Sequence, residues 1–535
     1  MCRTSVRFTF PVPRCVTTDV EDHAAADRAP EDAVAASSLP GSGLHSDVSH
    51  SLANALKLGS SLLGTWAVAL VIRMLLPRFL GPAAFGALQF ADAFSIIAMV
   101  TTWLGVEMYI RKEIPVRPQH ASDFLGGTML TGAGIGVVVL ALVLPALSAG
   151  GKSPDVLLLV AILCGAQLLA NQSNTLAAVL HSTSKVDGLA ALNIGAKLAW
   201  GGGIAMSFWL GFGVRGVAVS MLASELLRFL CLLQMTRAQT GLVLRVDRAA
   251  TQSALVASAP YYVLGVAQTI YARVDVSILS FLANDTEVGW YGAASTIAGM
   301  SMLLSPLIAW VILPLLQRAA ARSPEELATV SRRGLELVLV VAFPVTLAFF
   351  VSAPIIVPLA FGAAYEVASH ALRILAPTFV LTYAAIVCGL LLVRMDRGWA
   401  ATGISIASMI LAPILNLLIV PVFQRAFGPG GAGMGAATCL SLTELFAAAA
   451  LMIAVGGDII DRRTITVIGK TLAISLAVVA LDYALLPIGA WRLPIDGLAY
   501  LAAGILTGAI DRHGLTLLAR NALAERKAQK AGTVA

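Results

Sequence analysis

The sequence is poor in charge: Asp, Glu, Lys and Arg make up 12% of its 535 residues, where a soluble domain carries about a quarter. With 58% hydrophobic residues and a mean hydropathy of +0.85, the chain reads as an all-α integral membrane protein. Cysteine is scarce too. The six present include no C-x-x-C and no spacing beside paired histidines, which argues against a disulfide framework or a zinc site. Cys164, Cys231, Cys388 and Cys439 lie in apolar runs and read as small packing residues. A phosphate-cradling G-x-x-x-x-G-K-[ST] loop, an H-E-x-x-H helix and a G-x-S-x-G elbow are all missing, which argues against an ATPase acting alone, a zinc protease and a serine hydrolase. No connecting loop is long enough to be a domain. A membrane glycan polymerase or ligase needs a sizeable outer loop carrying acidic residues, so that class fits poorly. No cofactor is implied. The net charge of +6 gives no sign of nucleic-acid binding, because in a membrane protein basic residues record topology.

What is present is apolar run after apolar run. Residues 1–50 stand apart, rich in Ala, Asp, Ser and Pro and without an apolar h-region. They read as a disordered cytoplasmic tail, or as the product of a start codon placed too far upstream. From Leu52 onward about fourteen transmembrane helices are predicted, near 52–76, 84–109, 122–148, 155–180, 188–210, 213–236, 252–283, 288–317, 331–352, 366–393, 398–422, 431–455, 464–487 and 496–518. One set of connections and the C-terminal tail carry twenty Lys and Arg; the alternate connections carry five, namely Arg78, Lys152, Arg215, Arg425 and Arg492. The bias predicts a multi-pass membrane protein with both termini cytoplasmic.

The chain also echoes itself. Gly216-Val-Ala-Val-Ser-Met-Leu-Ala-Ser224-Glu225 matches Gly435-Ala-Ala-Thr-Cys-Leu-Ser-Leu-Thr443-Glu444, each placing Ser/Thr-Glu nine residues after a glycine. Two pseudo-symmetric six-helix lobes follow, at 51–240 and 241–456, with two extra helices at 457–519 and a basic cytoplasmic tail at 520–535. Transporters use such repeats to build a site between them.

Ionisable residues inside hydrocarbon-length helices are costly and mark pathways or sites. Arg273 is about ten residues from the outer end of helix 7, roughly 15 Å deep. Asp275 points to another face, so the two are not expected to pair. Lys197 lies deep in helix 5 with Asn193 one turn away, and Glu225 and Arg228 share a face of helix 6. Arg73, shortly before Pro77, has Asp92 as its expected counter-ion, and Arg373 lies near the outer end of helix 10. The substrate-binding candidates are therefore Arg273, Lys197, Arg73, Arg228, Arg373 and Asn193. The coupling or ion-pair candidates are Asp275, Glu225, Glu444 and Asp92, and no catalytic or metal-ligating set is assigned.

Four stretches, in order, carry a resemblance: Leu76-Pro-Arg-Phe-Leu-Gly-Pro-Ala-Ala-Phe-Gly86; Arg273-Val-Asp275 through Val288-Gly-Trp-Tyr-Gly-Ala-Ala294 to Leu313-Pro314; Phe361-Gly-Ala-Ala-Tyr365 through Ala371-Leu-Arg-Ile-Leu-Ala376; and Gly430-Gly-Ala-Gly-Met-Gly-Ala-Ala437 to Glu444. The chain resembles the multidrug/oligosaccharidyl-lipid/polysaccharide flippase superfamily, in its bacterial polysaccharide-exporter (Wzx-like) branch. The resemblance implies a two-lobed bundle around a cavity that opens alternately to each side. The implied cargo is an undecaprenyl-diphosphate-linked oligosaccharide, with its tail in the membrane lipid against helices 13 and 14. The implied protein is a monomer working beside a glycan polymerase and glycosyltransferases. A drug/cation antiporter and a lipid II flippase are alternatives within the superfamily; a membrane glycan polymerase or ligase is the alternative from another class.

Overall fold

The computed structural model describes residues 42–183, 188–300, 316, 319, 322–395, 397–456 and 462–508. The chain divides into a short unit, Met1–Lys57, and a compact one, Leu58–Ala535, and the membrane bundle is the second. Among the described residues every regular element is helical: α1 (Ser42–Met99), α2 (Val106–Glu113), α3 (Ala121–Ala149), α4 (Pro154–Ser182), α5 (Leu189–Trp209), α6 (Gly213–Thr240), α7 (Arg248–Leu282), α8 (Asp285–Gly299), α9 (Pro324–Phe361), α10 (Ala368–Leu375), α11 (Thr378–Arg394), α12 (Gly398–Phe427), α13 (Gly431–Val455), α14 (Arg462–Ala484) and α15 (Arg492–Leu506), with short 3₁₀ turns between several of them. Nine of the described helices are long and apolar enough to cross a membrane. An all-helical answer is what hydrocarbon demands, since a helix satisfies its backbone groups internally.

Side chains mark the ends where the sequence offers them. Asp247 caps α7 by accepting from the amides of Ala249 and Ala250, and Asn284 caps α8 by accepting from Glu287 at 2.9 Å. Ser153 and Ser323 cap α4 and α9, each followed by a proline at the first helical position. Inside α1 the backbone breaks at Gly81 (φ 74°), before Pro82. This break separates the first two predicted spans.

Two predicted spans are themselves broken. The span at 84–109 ends as a long helix at Met99; the chain turns through Leu104 (φ 55°) and Gly105 (φ 68°) into the separate α2. The physical reason is charge. Glu107, Arg111, Lys112 and Glu113 leave α2 one apolar side, and it buries Val106, Tyr109 and Ile110 there. The span at 366–393 splits into α10 and α11 around Pro377, which cannot donate to a continuing helix. The second half of the span at 288–317, the tail before Ser42 and everything after Gly508 lie outside the described residues.

The connections after α2 and after α6, with Arg117 and Arg245, meet at one end of the bundle, called the basic end below. Three apolar cores hold the helices together. One, at the opposite end, joins first-half residues such as Phe85, Phe90 and Leu159 to Tyr291, Phe361, Tyr365 and Ala436 from the second half. A second core joins Ile110, Phe124, Leu180 and Leu232 of the first half to Leu242 and Ala254 at the start of the second. The third belongs to the second half with α14 and α15, through Leu339, Phe379, Val387 and Tyr500. The halves thus share two cores, and the third is the second half's own. In the third region a buried ion pair, Arg492 Nε to Asp482 Oδ1 at 2.8 Å, ties α15 to α14.

Candidate translocation cavity

Between the two halves lies a cavity of about 1710 Å³ lined by α1, α5, α6, α7, α8, α11, α12 and α13. Along α7 the lining runs from Val256 to Val276, about 30 Å of helix, a length close to the whole hydrocarbon thickness. At the basic end the lining reaches Gly398 and Trp399, the latter 85% exposed. At the opposite end it stops, because α1 and α8 meet there backbone to backbone. A Cβ on Gly86 would fall on the carbonyl of Asp285, and one on Gly289 on the carbonyl of Pro82. Only glycine permits that approach. Two further bonds cross the same closure: Tyr365 donates to the Pro77 carbonyl at 2.9 Å and Gln89 to that of Gly292 at 3.4 Å.

The first half answers its buried charge with opposite charge. Glu225 is bonded to Lys197 Nζ at 3.4 Å and to Arg228 Nη1 at 3.2 Å. Arg228 is spread further, donating from Nε to Asn193 at 3.2 Å and from Nη2 to Asn174 at 3.0 Å. The i, i+3 spacing of Glu225 and Arg228 thus becomes a real pair, and Asn193 and Lys197 join it from one face of α5. Of this cluster only Lys197 lines the cavity, with its ammonium 5.5 Å from the centre of the Trp200 ring.

The second half answers differently. Glu444 accepts from the Tyr271 hydroxyl at 2.7 Å and from Thr382 at 3.0 Å. Asp275 accepts from Asn416 Nδ2 at 2.8 Å and has the Tyr291 hydroxyl as a second partner. Both carboxylates line the cavity, near enough for their charges to repel, and among the described residues no ion pair reaches either. As expected, Asp275 and Arg273 do not pair.

Two arginines line the same cavity, Arg73 and Arg273, and neither meets an acidic partner among the described residues. Asp92 does not supply one: it is half-buried, off the cavity lining, and makes no ion pair with Arg73. Arg373 is also off the lining. Its Nε donates to the Phe350 carbonyl at 3.3 Å, and its guanidinium lies 5.7 Å from the Phe350 ring and 6.0 Å from that of Tyr483. Of the cations expected on the substrate path, Arg73, Lys197 and Arg273 are brought to the cavity; Arg228 and Arg373 are occupied in packing.

The polar turn after α7 has a different role. Glu287, only 4% exposed, accepts the amides of Gly430 and Gly433, so it caps the first turn of α13 from a neighbouring helix. Trp290 Nε1 donates to the Ala364 carbonyl at 2.8 Å. The signature stretch is therefore largely an assembly device for the closed end. Tyr271, Thr382, Asn416 and Asn174 escape a reading of the sequence, because neutral hydrogen-bonding residues in apolar runs carry no spacing signal until a buried charge is placed beside them.

The chain matches the polysaccharide biosynthesis protein family over residues 75–370. It belongs to that family. Among curated proteins it is similar to the probable low-salt glycan biosynthesis flippase Agl15 of Haloferax volcanii, 22% identical over 276 residues, which is 51% of this chain and 56% of the relative. The match thus spans about half the length of that relative. Among solved structures, the lipid II flippase MurJ in an inward closed conformation superposes with a TM-score of 0.65 at 13% identity, covering 85% of this chain and 98% of the other. A multidrug resistance MATE family transporter of the MOP superfamily, inward-facing, superposes with 0.58 at 16% identity, covering 74% and 95%. The fold is therefore shared with these transporters: an all-helical bundle in a multi-pass membrane protein.

Proposed function

We propose that this protein is a transporter, not an enzyme, that flips an oligosaccharide linked through a diphosphate to a polyprenyl lipid, undecaprenyl in a bacterium. The observation that carries the reading is the pair of arginines, Arg73 and Arg273, that line a closed-ended cavity and meet no acidic partner among the described residues, with Lys197 between them in sequence. An uncompensated cation in hydrocarbon is costly, and a diphosphate repays it with charge-assisted, two-pronged hydrogen bonds. The excess of Lys and Arg in its loops supports a cytoplasmic position for that end, and on this reading the cavity is loaded from inside and blocked outside. The lobes fall at 51–240 and 241–456, with helices 13 and 14 at 457–519 as an appendix. Gly216 and Gly435 support the repeat: each packs against the preceding long helix, at Ser207 and at Val420. The chain works as a monomer, next to the glycosyltransferases and polymerase that make and use its cargo.

Coupling falls to Asp275 and Glu444, whose hydrogen-bond partners among the described residues are all uncharged, and not to Glu225, which Lys197 and Arg228 already pair with. A proton or a monovalent cation would settle either carboxylate. The same carboxylates are what a drug/cation antiporter would use, and this keeps that reading as the second. Mass spectrometry of polyprenyl-linked glycans in a deletion strain separates the two. Accumulation of one completed lipid-linked repeat, with loss of one surface polymer, is the expected result. Unchanged lipid-linked glycans with altered tolerance to cationic drugs would replace the flippase with the antiporter.

A further inference from the structure

Lys152 lies in the connection Gly150–Ser153 between α3 and α4, at the end of the bundle opposite the basic loops. In the sequence it is one of five minority charges. In the fold it reaches across. Its ammonium donates to the carbonyl of Ser280 and, at 2.7 Å, to the Ser280 hydroxyl, both in the last turns of α7. It also lies over two aromatic rings, 4.5 Å from the centre of Phe90 on α1 and 4.7 Å from that of Phe281 on α7. Those rings meet edge to face at 5.7 Å. The ammonium thus occupies a small receptor built from both halves, with two oxygen acceptors, two π-faces and the Asp285 carboxylate near enough to attract it, though no carboxylate is ion-paired to it among the described residues. Such a site is adequate for a desolvated cation only when complete. Separating the halves here removes Ser280 and Phe281 together.

The neighbouring contacts are of another kind. Gly86 on Asp285 and Gly289 on Pro82 make a close fit, and Tyr365 and Gln89 add neutral hydrogen bonds. Among the described residues, Lys152 is the one charged side chain whose hydrogen bonds join the two halves at this end.

We propose that Lys152 is the latch of the closed end: its seat between Ser280, Phe90 and Phe281 sets how often the cavity opens away from the basic loops. The proposal rests on the transporter reading, and on the cavity having two alternative openings. It makes Lys152 a positioning residue with no contact to cargo.

The test is thiol accessibility of Thr296→Cys, a cavity-lining position on α8, probed with a membrane-impermeant maleimide from each side of the membrane. The six native cysteines are replaced by alanine, so that position 296 carries the one thiol; its labelling from the basic-loop side with Lys152 in place establishes the cavity and its open end. From the other side, labelling is expected to be slow with Lys152 present and roughly tenfold faster or more in Lys152→Met, which keeps the stem and deletes the charge. Lys152→Arg, which keeps charge and donors, should stay slow. If Lys152→Met does not fold, Phe281→Leu removes one ring of the seat at a half-exposed position, and a smaller acceleration is expected. Fast labelling in neither variant, with labelling from the basic side intact, overturns the latch alone. No labelling from the basic side overturns the cavity reading, and the latch falls with it.

Discussion

Glu225 and Glu444 occupy the same register of a repeated ten-residue pattern, yet the two halves treat them in opposite ways. In the first half the carboxylate is clamped by Lys197 and Arg228, and the surplus donors of Arg228 are absorbed by Asn174 and Asn193. In the second half it is held by a phenol and a threonine hydroxyl, with Asp275 nearby and no cation paired to either among the described residues. A carboxylate clamped between two cations is held by opposite charge, whereas one held by neutral donors leaves its charge to be balanced by something else. The same sequence pattern therefore carries two different electrostatic solutions.

Making the same neutral substitution at both positions is the strongest way to break this comparison. Glu225→Gln removes the buried carboxylate and leaves two partly buried cations, Lys197 and Arg228, without their counter-charge. An unfolding cost of about 1–3 kcal/mol is expected, for the charge-assisted bonds lost, read as a fall in thermal midpoint in lipid or detergent. Glu444→Gln keeps a carbonyl acceptor for Tyr271 or Thr382, so the stability change should stay within about 1 kcal/mol. Its effect should appear in transport instead, as loss of dependence on proton or sodium gradients. Equal destabilisation at both sites would show that the halves are electrostatically alike after all.

Next in size is the effect of Arg273→Met on binding of a polyprenyl diphosphate to the purified protein. Removing one charge-assisted contact should weaken it roughly 10- to 100-fold. Stability should barely move, because among the described residues the guanidinium has no ion-pair partner to lose. A fall in stability as large as that of Glu225→Gln would mean that Arg273 is a structural ion like those of the first half, and the proposed head-group site would go with it.

The positions of the charges along the chain were legible before any coordinates, because hydrocarbon makes each buried ion conspicuous. Helix existence was legible for the same reason, since long apolar runs admit few alternatives. What the runs conceal is where they break. A span-length count carries α1 past Met99, although the charges of α2 require a turn through Leu104 and Gly105. Pairing was half legible. Glu225 with Arg228 is local and follows from helical spacing; Glu444 with Tyr271 and Asp275 with Asn416 span 173 and 141 residues and follow only from the packing of α7 against α12 and α13. Glu287 shows the limit most clearly. Its sequence neighbourhood suggests a surface turn, while in three dimensions it closes the start of another helix.

Arg373 gives the smallest expected effect and sharpens the boundary of the site. Its sequence position, near the outer end of a helix and one turn from His370, suggests a contact with a sugar or a head group. In the fold the guanidinium turns inward, bonding the Phe350 carbonyl and facing two rings, and so joins α9, α10 and α14. Arg373→Met keeps most of the packing stem. A stability loss of about 1 kcal/mol is expected from the lost bond and ring contacts, with lipid-diphosphate affinity changed less than about twofold. A tenfold loss of affinity without a stability change would mean that the guanidinium leaves its aromatic seat during transport. The anion path would then run past α10 and the appended α14, and both halves of the cation set would belong to the substrate.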